Sequence, residues 1–419
     1  MEQLDVAFWL TSPAGQALLA TMPAHNVADA FKLSTELRER GLTPEQSSAV
    51  LTQTRLRDAA RTKFGERASR MFFTDAGLQQ STRASVARQH ASVFARAGVR
   101  EVLDFGCGIG ADSQAFVDAG LTALGVERDP VTAHFAQANA GCAVVPTDGY
   151  ALLGSYESRE GLWLDPARRD ARGKRISHPE DWQPALSDAV ALAREFRVTG
   201  IKLGPGIRWA DLPADAFVDW VSVNGDLVEA VAWFGTRDPG RGATILTEKP
   251  GKNDGAASAT STSPATSATG NLVGYYRTWR GDPSQSAAPL PARPLDAYLY
   301  EPDPALMRAG GLDQVCSDFD LAPISPGLAY LSGDAVASPL LARFKILDVL
   351  PLHAKTVAAE LRKRGVVRAE IKKRGTDIDP ALFRKQLKLH KNAGDGAATV
   401  ILTRILGEHR AIVAEREGW

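Results

Sequence analysis

Apolar positions recur at helical spacing through the first hundred residues and in short strand-like runs after them. Residues 1–98 read as helical. The stretch "GLTPEQSSAV" carries a helix start, with Thr43 as N-cap, Pro44 in the first position and Gln46 three residues after the cap. A further helix is expected from about Gln80 to Ala97, where Val86, Ala87, His90 and Phe94 keep near-helical spacing. From Arg100 the pattern changes. Strands in "EVLDFG", "TALGVE", "CAVVPTD", "GLWLDP" and "VTGIKLGPGI" alternate with helices in "ADSQAFVDAG", "PVTAHFAQANA" and "PALSDAVALAREF". Such alternation predicts an α/β fold with a parallel, doubly wound sheet. "FVDWVSVNGDLVEAVAWFG" holds two β-rich runs around Asn224-Gly225, a strong hairpin signal.

Residues 250–271 are rich in Ser, Thr, Ala, Gly and Pro and nearly devoid of apolar side chains. They cannot bury a core, which predicts a disordered loop between "GATILTE" and "LVGYYRTW". Beyond "PLPARP" a last domain begins. It reads helix (354–364), strand (366–372), helix (379–389), strand (397–405) and a final strand in "HRAIVAERE". The expected divisions are a helical region over 1–98, an α/β domain over 99–236, a hairpin and linker over 237–294, and a smaller α/β domain over 295–419.

Composition narrows this little: 44% hydrophobic and 23% charged residues are ordinary for a globular chain, so no class is excluded on that ground. The formal net charge of zero says nothing of an anionic partner. Cys107, Cys142 and Cys316 lie far apart without a C-x-x-C pair, which suggests neither a zinc site nor a disulfide framework. The histidines form no metal pattern, and no metal is expected. The acidic start "MEQLDVAFWLTS" lacks the basic region of a signal peptide. No apolar run reaches transmembrane length. A cytoplasmic location and no membrane partner are therefore expected.

The chemistry concentrates at two strand ends. "VLDFGCGIGADS" ends a strand in glycines at 106, 108 and 110 and opens a helix. Without Cβ atoms a ligand can approach the main chain there. Asp104 precedes the first glycine by two, and Glu127 ends the next strand, where an acid can accept both ribose hydroxyls of a nucleoside. The D-x-G-x-G-x-G spacing departs from the dinucleotide fingerprint and resembles motif I of S-adenosylmethionine (SAM)-dependent methyltransferases. Five parallel strands closed by an antiparallel hairpin likewise resemble the Rossmann-like sheet of class I methyltransferases. The resemblance implies that Asp104 and the Gly106–Cys107–Gly108–Gly110 turn face the methionine part of SAM. It places the ribose on Glu127, with Arg128 beside it, and the adenine amino group on Asp148, followed by Gly149. Gln80 and Ser81, ahead of motif I, match positions that help close the cofactor site.

The second strand end is "LWLDPARRDARGKR" (162–175). Amino-group methyltransferases acting on nucleic acid carry Asn/Asp-Pro-Pro-aromatic here. An exocyclic base amine is a poor nucleophile because its lone pair is delocalised into the ring. A carboxylate and a backbone carbonyl that accept its two N–H hydrogens can aim that lone pair, and proline fixes the carbonyl's direction. Asp165 and Pro166 match the pattern. Ala167 replaces the second proline, and Arg168 stands where an aromatic would stack on the base; a guanidinium plane can stack too. Arg168, Arg169 and Arg172 could also bind phosphate. Trp163 is expected in the core, and Trp209 at the end of the fifth strand is a weaker candidate for lining the substrate site. With "FFTDAGLQQSTRASVARQHA", "GVERDP" and the closing hairpin, the set resembles trimethylguanosine-synthase-like RNA guanine-N2 methyltransferases over residues 70–236.

Residues 353–391 hold twelve Lys/Arg and four acids, a local charge of +8 in a neutral chain. Such segregation fits phosphate-backbone binding, with Arg362, Lys363, Arg364, Lys372, Lys373, Arg374, Lys385 and Lys388 as the candidates. A solvated cationic face held by pairs such as Glu360–Arg364 is the plainer alternative. "EIKKRG" and "EPDPALMRAG" resemble the THUMP-like domain at the C-terminus of some bacterial methyltransferases, which implies RNA binding. The expected function is SAM-dependent methylation of an exocyclic base amine of RNA (tRNA or rRNA), guanine N2 favoured. Methylation of a small molecule or a protein, and non-catalytic RNA binding, stay open.

Overall fold

The computed structural model describes residues 3–24, 26, 29–153, 156–168, 174, 176–248, 273–279, 290–389 and 396–417. The loop expected over 250–271 lies outside the described residues, as do Arg169 and Arg172. Two compact units are distinguished. The first holds the described residues through Val218, with Glu229–Pro239 and 246–248; the second holds Asp219–Val228, Gly240–Ile245 and the described residues from Val273 onward.

The first unit opens with helices α1 (Gln3–Thr11), α2 (Pro13–Thr21), α3 (Ala30–Glu39), α4 (Pro44–Phe64), α5 (Asp75–Gln80) and α6 (Ala84–Arg96). Helix α4 starts where the sequence predicts. Gln46 donates its backbone N–H to Thr43 Oγ1, and Thr43 N donates back to Gln46 Oε1 at 3.0 Å, closing a capping box. The single helix expected over 80–97 is instead two, broken at Ser81–Arg83. Ser81 caps α5, and the Thr82 hydroxyl bonds a distant carboxylate, so neither is available to continue a helix.

The alternating elements follow: β1 (Glu101–Phe105), α7 (Ala111–Asp118), β2 (Thr122–Val126), α8 (Pro130–Ala140), β3 (Ala143–Val145), α9 (Gly149–Leu153), β4 (Gly161–Leu164), α10 (Leu186–Ala193) and β5 (Val198–Leu203). Strands β1–β5 are parallel, as expected. The hairpin β6 (Phe217–Val223) and β7 (Asp226–Phe234) turns at Asn224 (φ 53°) and Gly225 (φ 85°), both in the left-handed region that a two-residue turn requires. β7 lies antiparallel to β5. The sheet order is β3-β2-β1-β4-β5-β7-β6-β8-β9, so the sheet does not end at the hairpin. β8 (Gly240–Leu246) and β9 (Val273–Trp279) continue it. Phe94, Val102, Phe116, Trp163 and Trp233 form the core between α6, α7 and the sheet, and Trp163 is fully buried there.

The second unit adds β10 (Tyr298–Pro302), α11 (Pro304–Ala309), α12 (Leu312–Phe319), β11 (Ala322–Pro323), β12 (Leu331–Gly333), β13 (Leu341–Pro351), α13 (Ala354–Lys363), β14 (Val366–Lys373), α14 (Pro380–Leu387), β15 (Gly396–Ile405) and β16 (Glu408–Glu417). Its own sheet runs β11-β12-β10-β13-β16-β15-β14. Alternate residues of β15 and β16 serve two cores. Val400, Leu402, Ala411 and Val413 pack with Leu361, Phe383 and Leu387 of the helices, while Ile401 and Ile412 pack on the other face with Leu299, Tyr330 and Phe344. β13 is absent from the sequence reading. Lys345 and Asp348 interrupt its apolar run, and its register shifts between Ile346 and Asp348.

Candidate active site

The order β2-β1-β4 places a topological switch point at the carboxyl end of β1, where α/β sheets bind ligands. The glycine turn sits there. Gly106 and Cys107 both donate to Val126 O (2.9 and 3.0 Å), and Gly110 N donates to Cys107 O. All three glycines have φ between 54° and 84°. A Cβ at Gly110 would lie 2.9 Å from Ala136 O in α8, whereas one at Gly108 would meet nothing within 4 Å. Gly110 therefore serves packing, and Gly108 leaves open space beside the main chain. Glu127 is oriented by two amides, accepting from Gly108 N (3.1 Å) at Oε2 and from Asp129 N (2.9 Å) at Oε1. Arg128 is exposed. Asp148 is exposed and accepts from Tyr150 N, while a Cβ at Gly149 would drive into the Phe105 ring. Asp104 is buried and accepts from Ser113. Burial, with repulsion from Asp112, pushes its carboxyl up to about 8.

Asp165 follows β4, which pairs with β1 so that Leu164 sits beside Phe105. Its backbone carbonyl oxygen lies 3.6 Å from the Cβ position of Gly106, so the two strand ends abut. Ala167 exchanges backbone hydrogen bonds with Gln183 (2.7 and 3.2 Å), which fixes the path of Asp165-Pro166-Ala167. The Arg168 carbonyl accepts from Ile176 N. Trp209 is half-buried.

A chain of buried polar side chains, absent from the sequence reading, ends at Asp165. Lys202 Nζ donates to Asp165 Oδ2 (2.7 Å) and to Thr82 Oγ1 (3.0 Å). Thr82 donates to Asp112 Oδ2 (2.6 Å). His90 bridges Asp112 Oδ1 (2.8 Å) and Glu229 Oε1 (2.6 Å), and its ring lies tilted by 32° against Trp163 with centroids 4.1 Å apart. Burial opposes charge on His90, but Glu229 and Asp112 overcome it and push the imidazolium up to about 9. Burial likewise opposes the Lys202 ammonium, yet Asp165, Glu229 and Asp112 hold it above the ordinary lysine range. The signal was present in sequence: a lysine in the otherwise apolar "VTGIKL", and a histidine at a core position of α6.

The segment before the turn packs directly on it. A Cβ at Gly77 would overlap Ile109, and the Asn139 side chain donates to both Phe72 O and Ile109 O at 2.9 Å. Lys63 Nζ donates to the carbonyls of Leu78, Gln79 and Ser81, and burial lowers its pKa to about 8. Ser81 thus contributes its carbonyl to a helix end, and Gln80 is exposed.

Among curated proteins, an uncharacterized S-adenosylmethionine-dependent methyltransferase of Mycobacterium tuberculosis (strain ATCC 25618 / H37Rv) is 30% identical over 369 residues. The match spans 85% of this chain and 92% of the relative. The chain belongs to the SAM-dependent methyltransferases. Its cofactor is accordingly SAM. The same similarity holds for the counterpart in strain CDC 1551 / Oshkosh. Over 99% of the methyltransferase chain the fold is also that of a protein of Porphyromonas gingivalis W83, described as a candidate methyltransferase (21% identical, 98% of that chain, TM-score 0.67). The THUMP domain-like family matches residues 341–416 and a domain of unknown function, DUF8688, matches residues 3–60.

In the second unit the basic candidates divide. Lys372 pairs with Glu301 at 2.6 Å, Arg374 approaches Glu301 and lies over Tyr330, and Arg364 pairs with Glu360 at 2.6 Å. Lys363 approaches Glu360 at 3.8 Å. Arg362, Lys373, Lys385 and Lys388 are exposed. Strand β14, which carries Lys372 and Lys373, is the sheet's edge, where lysines discourage further pairing. Among the described residues, no group of three or more His, Cys, Asp or Glu is placed to hold a metal, and no helix is long and apolar enough to cross a membrane.

Proposed function

We propose that this methyltransferase modifies an exocyclic base amine of RNA, guanine N2 first among the candidates. The observation that carries the reading is Asp165: a half-exposed carboxylate at the end of β4, abutting the glycine turn and held by a buried ammonium. The open space over Gly108 and the twice-anchored Glu127 suit a nucleoside cofactor. The turn from Asp104 to Gly110 would take its methionine part, Glu127 its ribose, and Asp148 its adenine amine. When bound, SAM supplies an electrophilic methyl group. Asp165 and the Pro166 carbonyl accept the two N–H hydrogens of the amine and direct its lone pair toward the glycine turn. The proton leaves to water after transfer.

An amine that arrives uncharged suits this site better than an aliphatic ammonium. The nearby carboxylates are engaged, Asp112 by Thr82 and His90, Glu229 by His90, and Asp165 by Lys202. His90 holds its own proton to about pH 9, so it is no base for a protonated acceptor at neutral pH. The THUMP-like domain and the exposed Arg362, Lys373, Lys385 and Lys388 favour RNA as the carrier of the amine.

Incubation with tritiated SAM and total RNA from cells lacking the protein, followed by nucleoside mass spectrometry, tests this. Labelled N2-methylguanosine is the expected product, and Asp165→Ala lowers the transfer rate at least 100-fold, the order expected for losing the group that orients the nucleophile. Label in protein or small molecules alone, or undiminished transfer by Asp165→Ala, overturns the reading.

A further inference from the structure

The Asp165 carboxylate is held from another strand. Among the described residues the side chain that reaches its carboxylate is Lys202, one strand away on β5. Lys202 lies between Ile201 and Leu203, both fully buried, and its own side chain is only 7% exposed. Removing an ammonium from water is costly, and an apolar side chain of similar length would fill the space without that penalty. The cation is therefore there for what it binds.

Lys202 and His90 are the donors of the chain, and Asp165, Asp112 and Glu229 its acceptors. Thr82 spends its proton on Asp112, so its oxygen accepts from Lys202. Asp112 uses its other oxygen for His90, which donates at both ring nitrogens. The chain ends in an acceptor on either side, Glu229 Oε1 beyond His90 and Asp165 Oδ2 beyond Lys202. We propose that Lys202, seated by Thr82, is a positioning residue: by occupying Oδ2 it presents Oδ1 of Asp165 to the acceptor amine. This rests on the reading of Asp165 given above. It also gives Ser81–Arg83, the break between α5 and α6, a task, because Thr82 in that break is the residue that seats Lys202.

The test uses the full chain with Lys202→Met, Lys202→Arg, Thr82→Val and the double variant Lys202→Met/Asp165→Asn. Four quantities are read: SAM affinity by calorimetry, single-turnover methylation of RNA, KM for RNA, and the Asp165 side-chain orientation in a crystal structure of each variant. Lys202→Met is expected to lose about 100-fold in single-turnover rate, the scale of a misplaced reacting group. SAM affinity and KM are expected to stay within about threefold, with Asp165 rotated or split between orientations. Lys202→Arg and the uncharged double variant recover part of the rate, and Thr82→Val loses about tenfold. A Lys202→Met rate within threefold of wild type, an equal fall in SAM affinity, or an unmoved Asp165 carboxylate overturns the proposal. Should Lys202→Met fail to fold, Thr82→Val decides by the same criteria. If the wild-type protein methylates no RNA, the reading of the acceptor falls, and the orientation of Asp165 in the variants still decides the role of Lys202.

Discussion

At the scale of single residues, the chain from Asp165 to Glu229 couples the stability of the fold to pH. His90 is buried with a carboxylate at each ring nitrogen, and its pKa rises from an ordinary 6.5 to about 9. A group whose folded pKa is raised contributes stability that is fully present below pH 6.5 and lost as pH climbs through 9. The contribution is on the order of 3 kcal/mol from the pKa difference. Calorimetric melting of wild type and His90→Gln from pH 6 to 10 is expected to show the variant melting lower at pH 6.5, with the gap closing toward pH 10. Taking the difference between the two proteins removes the parallel loss due to Asp104, whose raised pKa, about 8, also weakens the fold as pH rises. A gap that stays constant with pH would show His90 neutral in the fold. Legibility was uneven at this scale. Asp104, Glu127 and Asp165 stood out because their positions relative to glycine and proline are short-range patterns. Lys202 and His90 did not, since one charge inside an apolar run gains its meaning from partners 120 and 139 residues away in sequence.

At the scale of elements, the glycine turn separates two uses of glycine. Gly110 has φ 80° and no room for a Cβ against Ala136 of α8, so Gly110→Ala strains the backbone and displaces a helix. Gly108 has φ 54° but open space around it. Gly108→Ala is expected to cost only about 1 kcal/mol of stability, the left-handed penalty, while losing most SAM affinity, because in the proposed placement of SAM the new methyl group would project toward it. Gly110→Ala should instead lower the melting temperature by several degrees, with SAM affinity following the loss of fold. Paired calorimetric titrations and melts of the two variants check this contrast. The elements themselves were largely readable: the capping box of α4, the five parallel strands and the Asn224-Gly225 turn stand where local rules place them. The split of α5 from α6 and the strand β13 were not. Thr82 is drawn out of a helix by a tertiary hydrogen bond, and β13 carries charges its neighbours tolerate.

At the scale of the whole molecule, the basic block is the feature whose meaning depends on surroundings. Counting charges gives an excess of eight over residues 353–391, yet Lys372, Arg374 and Arg364 are paired within the second unit. Lys373, Lys385 and Lys388 are exposed and are among the phosphate contacts proposed above. Reversing these three to Glu is expected to weaken RNA binding and to flatten its salt dependence by about 2 in the log–log slope, at roughly 0.7 per phosphate contact on single strands. SAM affinity should not change. Filter binding across a range of salt concentrations, beside calorimetry with SAM, checks both; an unchanged slope would assign these lysines to solubility alone.

By itself the chain of residues determined the fold class, the alternation of strands and helices, the glycine turn after β1 and the carboxylate at the end of β4. All of these depend on neighbours a few residues apart, where backbone sterics and periodicity act. Tertiary structure alone decided which charges are spent on one another and which are left for a ligand. Asp165 is bound to Lys202, Lys372 to Glu301, and Asp112 to both Thr82 and His90. Electrostatic partnership depends on distance and burial in space, and neither is written in the spacing along the chain.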